Sequence, residues 1–194
     1  MTSKRTATSA IDLKKKKKKW VPILAGPEFN NQEIGETFIE ETEQALGKTI
    51  QVNLVMLTKD PKRQNFNVYF KVNEIKNNIA MAKLTKYSMQ VAQLKKITKK
   101  AKNKIDDSVI YQTKDNEKVV IKPIMITKNL TYKTSLKLLR KASREFLTNY
   151  VKANTAAQVM QDIINNVVQR DMRNYVKKVT PLAVCMVKTA ELKQ

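Results

Sequence analysis

The chain has 194 residues, 42% of them hydrophobic, and a formal net charge of +21 with no histidine. That length can bury a sizeable core in one large domain or two small ones, and no apolar run approaches the roughly 20 residues that span a bilayer. No Ser-His or Cys-His nucleophile pair is available, one cysteine forms neither an internal disulfide nor a structural zinc site, and three glycines at unrelated spacings make no phosphate loop.

Carboxylate acid/base chemistry is what remains, and no motif points to it. An isolated domain gains nothing from so much like charge, because self-repulsion weakens the compact state. A polyanionic partner explains it, and nucleic acid is the commonest one.

The charge is unevenly spread. Residues 1–20 hold eight basic groups and one acid, residues 21–60 hold seven acids and two bases, and residues 61–194 hold 28 bases and nine acids. Lys14, Lys15, Lys16, Lys17, Lys18 and Lys19 form an unbroken run that ends on Trp20, the only tryptophan. Residues 1–19 read as an extended basic arm, polar and self-repelling, that orders along phosphates. A solvated tail or a nuclear address is the plainer alternative. No apolar secretion segment follows the basic start, so a cytosolic location is the default expectation. Trp20 either stacks on a base or anchors the arm to the core, and a lone tryptophan at a strand start favours the anchor. The acidic interval of Glu28, Glu33, Glu36, Glu40, Glu41 and Glu43 implies no ligand geometry. It reads as a solvated face or a contact with a basic protein neighbour.

The remainder, 20–194, reads as a single α+β domain: β-rich over 20–127, helical over 132–179, with a returning strand over 181–190. Thr49 to Leu57 and Phe66 to Ile75 largely alternate in character and predict strands, joined by a loop carrying Lys62 and Arg63. Asn77-Asn78 predicts a tight turn into a short strand, Ile79 to Leu84. A helix is expected from about Thr85 to Asn103, where Tyr87, Val91, Leu94, Ile97 and Ala101 form an apolar stripe. Lys95, Lys99 and Lys102 flank that stripe, and Lys96 and Lys100 project further round. Strands Ile105 to Thr113 and Lys118 to Thr127 follow, joined by a turn at Lys114-Asp115-Asn116-Glu117. Short strands around one helix suggest a small antiparallel barrel or a strongly curved sheet.

From Tyr132 to Tyr150 the spacing predicts a helix with Leu136, Leu139, Ala142, Phe146 and Tyr150 on one face. Lys133, Lys137, Arg140, Lys141 and Arg144 share the opposite face, without acids at i,i+4 to offset them. Five such cations on one face predict a phosphate-facing surface. Thr155 and Gln158 have capping-box spacing and open a helix through Val159, Ile163, Val167, Met172, Tyr175 and Val179 that Pro181 ends. Leu182 to Val187 is apolar throughout, as in a strand buried on both faces, and places Cys185 inside as a small hydrophobe.

Several segments resemble one family. Lys18-Lys19-Trp20, Ala25 to Phe29 (AGPEF), Glu33 to Thr37 (EIGET) and Gly47 to Leu54 (GKTIQVNL) occur in its order. So do Tyr69 to Val72, Lys104 to Asp107, Thr113 to Asp115, Leu136 to Phe146 and Thr180 to Leu182. From about residue 14 onward the chain is similar to the archaeal and eukaryotic small-subunit ribosomal protein family called S-three-a-e, or eukaryotic-type S-one. Its compact length is closer to the archaeal form. It departs from the family pattern at Asn78 to Lys83, where a phenylalanine-glycine stretch is usual, and at Lys95 to Lys104, where arginines are usual. Asp115-Asn116 stands in place of Asp-Gly. Lysine lacks the planar fork of arginine, so phosphate neutralisation survives that exchange better than bidentate contacts.

The resemblance implies a β-barrel with flanking helices, on the small-subunit platform near the messenger exit. The implied partners are ribosomal RNA and neighbouring ribosomal proteins, with messenger RNA at the exit as a further candidate. No enzyme activity, cofactor, metal, membrane or homo-oligomer is expected. The rival readings are a free RNA- or DNA-binding chaperone without sequence preference and a polybasic peripheral membrane protein.

Overall fold

The two-residue alternation of buried and exposed side chains organises the first two-thirds of the chain into strands, seen in a computed structural model that describes residues 18–193. Lys14, Lys15, Lys16 and Lys17 lie outside the described residues. The strands are β1 (Lys19–Ala25), β2 (Glu33–Ile39), β3 (Thr49–Asn53), β4 (Phe66–Lys76), β5 (Ile79–Met89), β6 (Lys104–Asp106), β7 (Val109–Gln112), β8 (Lys118–Thr127) and β9 (Leu182–Lys193). The helices are α1 (Leu54–Thr58), α2 (Val91–Ile97), α3 (Lys133–Ala153), α4 (Ala156–Ile164) and α5 (Val167–Val176).

All nine strands belong to one sheet organised around β5. β4 pairs along one edge of β5. The other edge is shared: β1 pairs parallel to it through Ile23–Ala25, and β9 pairs antiparallel through Thr189–Glu191. β9 also runs the length of β8, whose far edge carries β7 and then β6. The α+β class is as expected. Of the two sheet forms considered, the closed barrel is not the one adopted. The sheet is open: beyond β4 it ends in β3, and on the other side of β5 its two branches end in β2 and in β6 and β7.

Local chemistry fixes the turns. Asn77 and Asn78 both take left-handed backbone angles, φ 50° and 60°, and close the β4–β5 hairpin with the twist that flanking strands need. Asn116 does the same, at φ 61°, in the turn before β8. The capping box is present, with Thr155 Oγ1 accepting from the Gln158 amide at 3.4 Å and Gln158 Oε1 accepting from the Thr155 amide at 3.2 Å.

Four boundaries differ from expectation. The segment taken as a helix from Thr85 begins as strand: β5 continues to Met89 because both of its edges are paired there. Tyr87 is consequently core, stacked on Phe66 at 5.3 Å, and its phenol is pushed well above the usual range by burial. A bulge at Thr85, whose hydroxyl donates to the Tyr69 carbonyl, shifts the phase so that Leu84 and Tyr87 both face inward. α2 is left with seven residues, and Val91 is exposed rather than part of a buried stripe. Leu54 to Leu57 is α1 rather than strand, since Asn53 Oδ1 accepts from the Val55 amide and caps a helical turn. The strand predicted over Ile105 to Thr113 is broken at Asp107-Ser108 into β6 and β7. The last helix is two, because Asn166 takes φ 60° between α4 and α5. Buried Gln169 donates from Nε2 to the Ile163 carbonyl across that break.

The C-terminal helices cover one face of the sheet. Leu139, Leu147 and Val151 of α3, Val159 and Ile163 of α4, and Val168, Met172 and Val176 of α5 are fully buried in the same cluster as Val68, Phe70, Val119 and Ile121. Cys185 lies inside, and burial pushes its thiol up to about 12. Trp20 is the exception to core expectations. It is 65% exposed and packs on its cross-strand partner Phe38, with ring centroids 4.9 Å apart.

Candidate nucleic-acid interface

Helix α3 runs 21 residues, and its polar side carries the cations that the sequence grouped. Lys133, Lys137, Arg140, Lys141 and Arg144 are all exposed along it. Four of them, Lys137, Arg140, Lys141 and Arg144, line one groove of about 480 Å³ together with Glu145, Thr148, Asn149 and Tyr175. Tyr175 comes from α5, where its ring meets Phe146 of α3 at 5.6 Å, so the helix pair forms the floor of the groove.

Beneath this ridge lies Asp107, in the break between β6 and β7. Its side chain is only 6% exposed. Oδ1 lies 2.9 Å from Arg140 Nε in an ion pair, and Oδ2 accepts from Arg144 Nε at 3.0 Å. A buried carboxylate is costly unless paired, and an ion pair with Arg140 and a charge-assisted hydrogen bond from Arg144, on successive turns of one helix, meet that need. Both contacts use Nε, and each arginine remains about half exposed, so the Nη groups stay available to a further anion. The expectation that no acid stood at i,i+4 on this face is corrected by Glu145, and Asp107 adds an acid partner from outside the helix. Asp107 holds two of its arginines, and Glu145 stands 4.0 Å from Lys141 at i,i+4. Neither removes the surplus. Asp107 orients cations from below, and the Lys141 pair is a surface contact of small energy.

The tyrosine beside this pair is unusual. Tyr111, on β7, is buried with a hydroxyl that has no hydrogen-bond partner among the described residues. Burial raises its phenol to about 12, with Arg144 opposing and Asp107 adding to the shift.

The other sequence candidates fall elsewhere. Lys95 and Lys96 are exposed on α2, while Lys99, Lys100 and Lys102 sit in the turn after it. Lys62 is exposed in the loop before β4. Arg63 beside it is engaged inside the chain, donating from Nη1 to the Ile164 carbonyl at 2.9 Å and lying 3.5 Å from Asp60. It thereby satisfies an orphan carbonyl at the end of α4. Lys18 reaches Glu40 at 3.8 Å and lies 6.0 Å from the Phe38 ring centroid, and Lys19 opens β1. In the acidic interval, Glu33, Glu36 and Glu40 are exposed on or beside β2, the last strand of its side of the sheet. Glu28 is half-buried, and burial raises its carboxyl while Lys83 opposes.

Sequence reading missed Asp107 as the organiser of the ridge. An acid at the break of a predicted strand is a weak signal, because its partners lie more than thirty residues away. Among the described residues no three His, Cys, Asp or Glu side chains gather as metal ligands, and no helix is long and apolar enough to cross a membrane.

Fold and ridge together define a basic α+β protein with an open sheet and a set of pre-positioned cations on one helix. The chain belongs to the Ribosomal S3Ae family, whose sequence pattern matches residues 7–194. It is similar to the small ribosomal subunit protein eS1 of Archaeoglobus fulgidus, 25% identical over 194 residues, covering 99% of this chain and 92% of the relative. The eS1 protein of Methanocaldococcus jannaschii is 26% identical, with 99% and 89% covered. That of Nanoarchaeum equitans is 26% identical over 166 residues, with 86% and 84% covered.

Proposed function

We propose that this protein is a structural, non-catalytic constituent of the small ribosomal subunit that holds ribosomal RNA through the α3 ridge and the basic arm. The observation that carries the RNA contact is the Asp107 clamp, which fixes two guanidinium groups one helical turn apart with their Nη ends free. Guanidinium groups fixed in advance lose less entropy on meeting phosphate than free lysines do. Family membership supplies the ribosomal context.

In this reading the ridge and the lysine tract neutralise phosphates and release condensed counterions, setting register without reading bases. The location is the platform near the messenger exit, with the protein acting in the cytoplasm as part of the ribosome. The exposed glutamates of β2 face a basic ribosomal protein neighbour. Sedimentation of cell extract at low and high salt tests the assignment. Co-migration with small subunits at low salt is expected. A chain that sediments free of particles at low salt would reject it in favour of an unattached nucleic-acid chaperone.

A further inference from the structure

The face of the sheet turned away from α3, α4 and α5 carries a second basic groove. Alternation along β4 sends Phe66, Val68 and Phe70 inward and leaves Asn67 and Tyr69 on the other face. Register continues that face across four strands: Asn67 lies opposite Ser88, Ser88 opposite Thr189, and Thr189 opposite Lys122. One step along, Tyr69 lies opposite Lys86. These residues, with Lys188 and the first turn of α2, enclose about 450 Å³, within the roughly 300–1,000 Å³ typical of ligand sites.

Lys86, Lys122 and Lys188 line this groove, and no acid does. Two acids pair with the lysines from beside the groove, Glu191 as the cross-strand partner of Lys86 on the same face. Glu191 lies 3.4 Å from Lys86, and Asp106 accepts from Lys188 at 3.2 Å and from Lys104 at 3.1 Å. Burial works to raise the Asp106 carboxyl, but the bonds from Lys104 and Lys188 outweigh it and hold the group below its ordinary value. It therefore stays ionised and keeps Lys188 in place. Lys122 has no ion pair among the described residues. The Lys86 ammonium sits over the Tyr69 ring, 5.7 Å from its centroid, so the ring turns a π face towards the groove lining, where a stacking base would take the place of that ammonium.

We propose that this sheet face is a second RNA site, separate from α3, that takes unpaired nucleotides. Tyr69 is its stacking platform, and Lys86, Lys122 and Lys188 are its phosphate contacts. An aromatic ring on an open sheet, flanked by cations and by the neutral polar groups of Asn67, Ser88 and Thr189, matches the chemistry of a flat base with a charged backbone on either side. A duplex buries its base faces and offers only phosphates and groove edges, so it gains nothing from the ring. The inference rests on the RNA-binding reading above and adds a site and a strand preference to it.

The test uses the full chain with a short 5-iodouridine-containing single strand and a duplex of equal length. Ultraviolet crosslinking should place the single strand on the peptide containing Tyr69. Tyr69→Leu should weaken single-strand binding on the order of ten-fold and leave duplex binding unchanged. Combined Lys86→Gln, Lys122→Gln and Lys188→Gln should lower the salt slope by about 0.7 for each phosphate no longer neutralised. Thermal melting of each variant separates site effects from unfolding, and crosslinking of the unaltered chain reads the site without any substitution. Crosslinks confined to Trp20 or Tyr132 would overturn the proposal, as would equal losses for both RNA forms, or displacement of the RNA by poly-glutamate at equal charge concentration. Arg140→Gln with Arg144→Gln should leave the Tyr69 crosslink in place, so loss of the ridge and loss of this site give different results.

Discussion

Asp107 Oδ1 meets Arg140 Nε at 2.9 Å while Oδ2 meets Arg144 Nε at 3.0 Å, so one buried carboxylate sets the direction of two guanidiniums on successive turns of α3. Asp107→Asn removes a negative charge and so raises the net charge of the protein by one. If only net charge governed RNA binding, affinity would rise. Because orientation is what the carboxylate supplies, affinity for the small-subunit RNA should instead fall several-fold, measured by filter binding at fixed salt. Stability should fall by about 1–3 kcal/mol from the lost ion pair and charge-assisted bond. A rise in affinity would show that the clamp is structural only.

Removing Thr2 to Lys17 should leave the melting temperature nearly unchanged, since β1 begins at Lys19 and Lys18 already touches Glu40. The deletion takes away six basic groups, Lys4, Arg5 and Lys14 to Lys17. RNA affinity should weaken, and the dependence on salt should flatten by about 0.7–0.9 for every phosphate the arm had neutralised. A salt slope equal to that of the full chain would remove the arm from the interface.

Thr155→Ala removes the hydroxyl that accepts from the Gln158 amide in the capping box that opens α4, and leaves the Thr155 backbone N–H to the Gln158 side chain. The cost should be about 1 kcal/mol, seen as a melting point roughly 2–4 °C lower in a chain of this size. RNA affinity should not change, because α4 carries none of the ridge residues. A concurrent loss of affinity would tie α4 to the interface.

Cys185 should resist thiol reagents at pH 8 in the native state and react fully in denaturant, because burial pushes its thiol up to about 12. The folded value lies above the unfolded one. Its contribution to stability is thus complete below about pH 9 and is lost progressively as pH rises towards 12. Denaturant titration at pH 8 and pH 10, with Cys185→Ala for comparison, reads that loss. Equal pH dependence in both proteins would contradict it.

Much of the fold was legible because burial imposes period. β8 falls on its predicted bounds, Lys118 to Thr127, and the turns at Asn77-Asn78 and Asn116 follow from asparagine's tolerance of left-handed backbone. What failed was set by distant pairing. Tyr87 fits a helical stripe as well as a strand, and only the partners Val68 and Ala190 decide between them. The ridge cations were visible as a 3.6-residue pattern, whereas Asp107 was not, because its role depends on a strand break meeting a helix. Trp20 shows the reverse error: hydrophobicity argued for burial, yet the edge hairpin leaves it on the surface.

β9 follows every other element in chain order, yet it supplies the strand between β5 and β8. Until Leu182–Lys193 docks, those two strands each present an open hydrogen-bonding edge, and the halves of the molecule are not stitched together. Such late closure between segments some sixty to a hundred positions apart makes for slow maturation. A newly synthesised chain thus passes through an interval in which it is prone to sticking to its own copies.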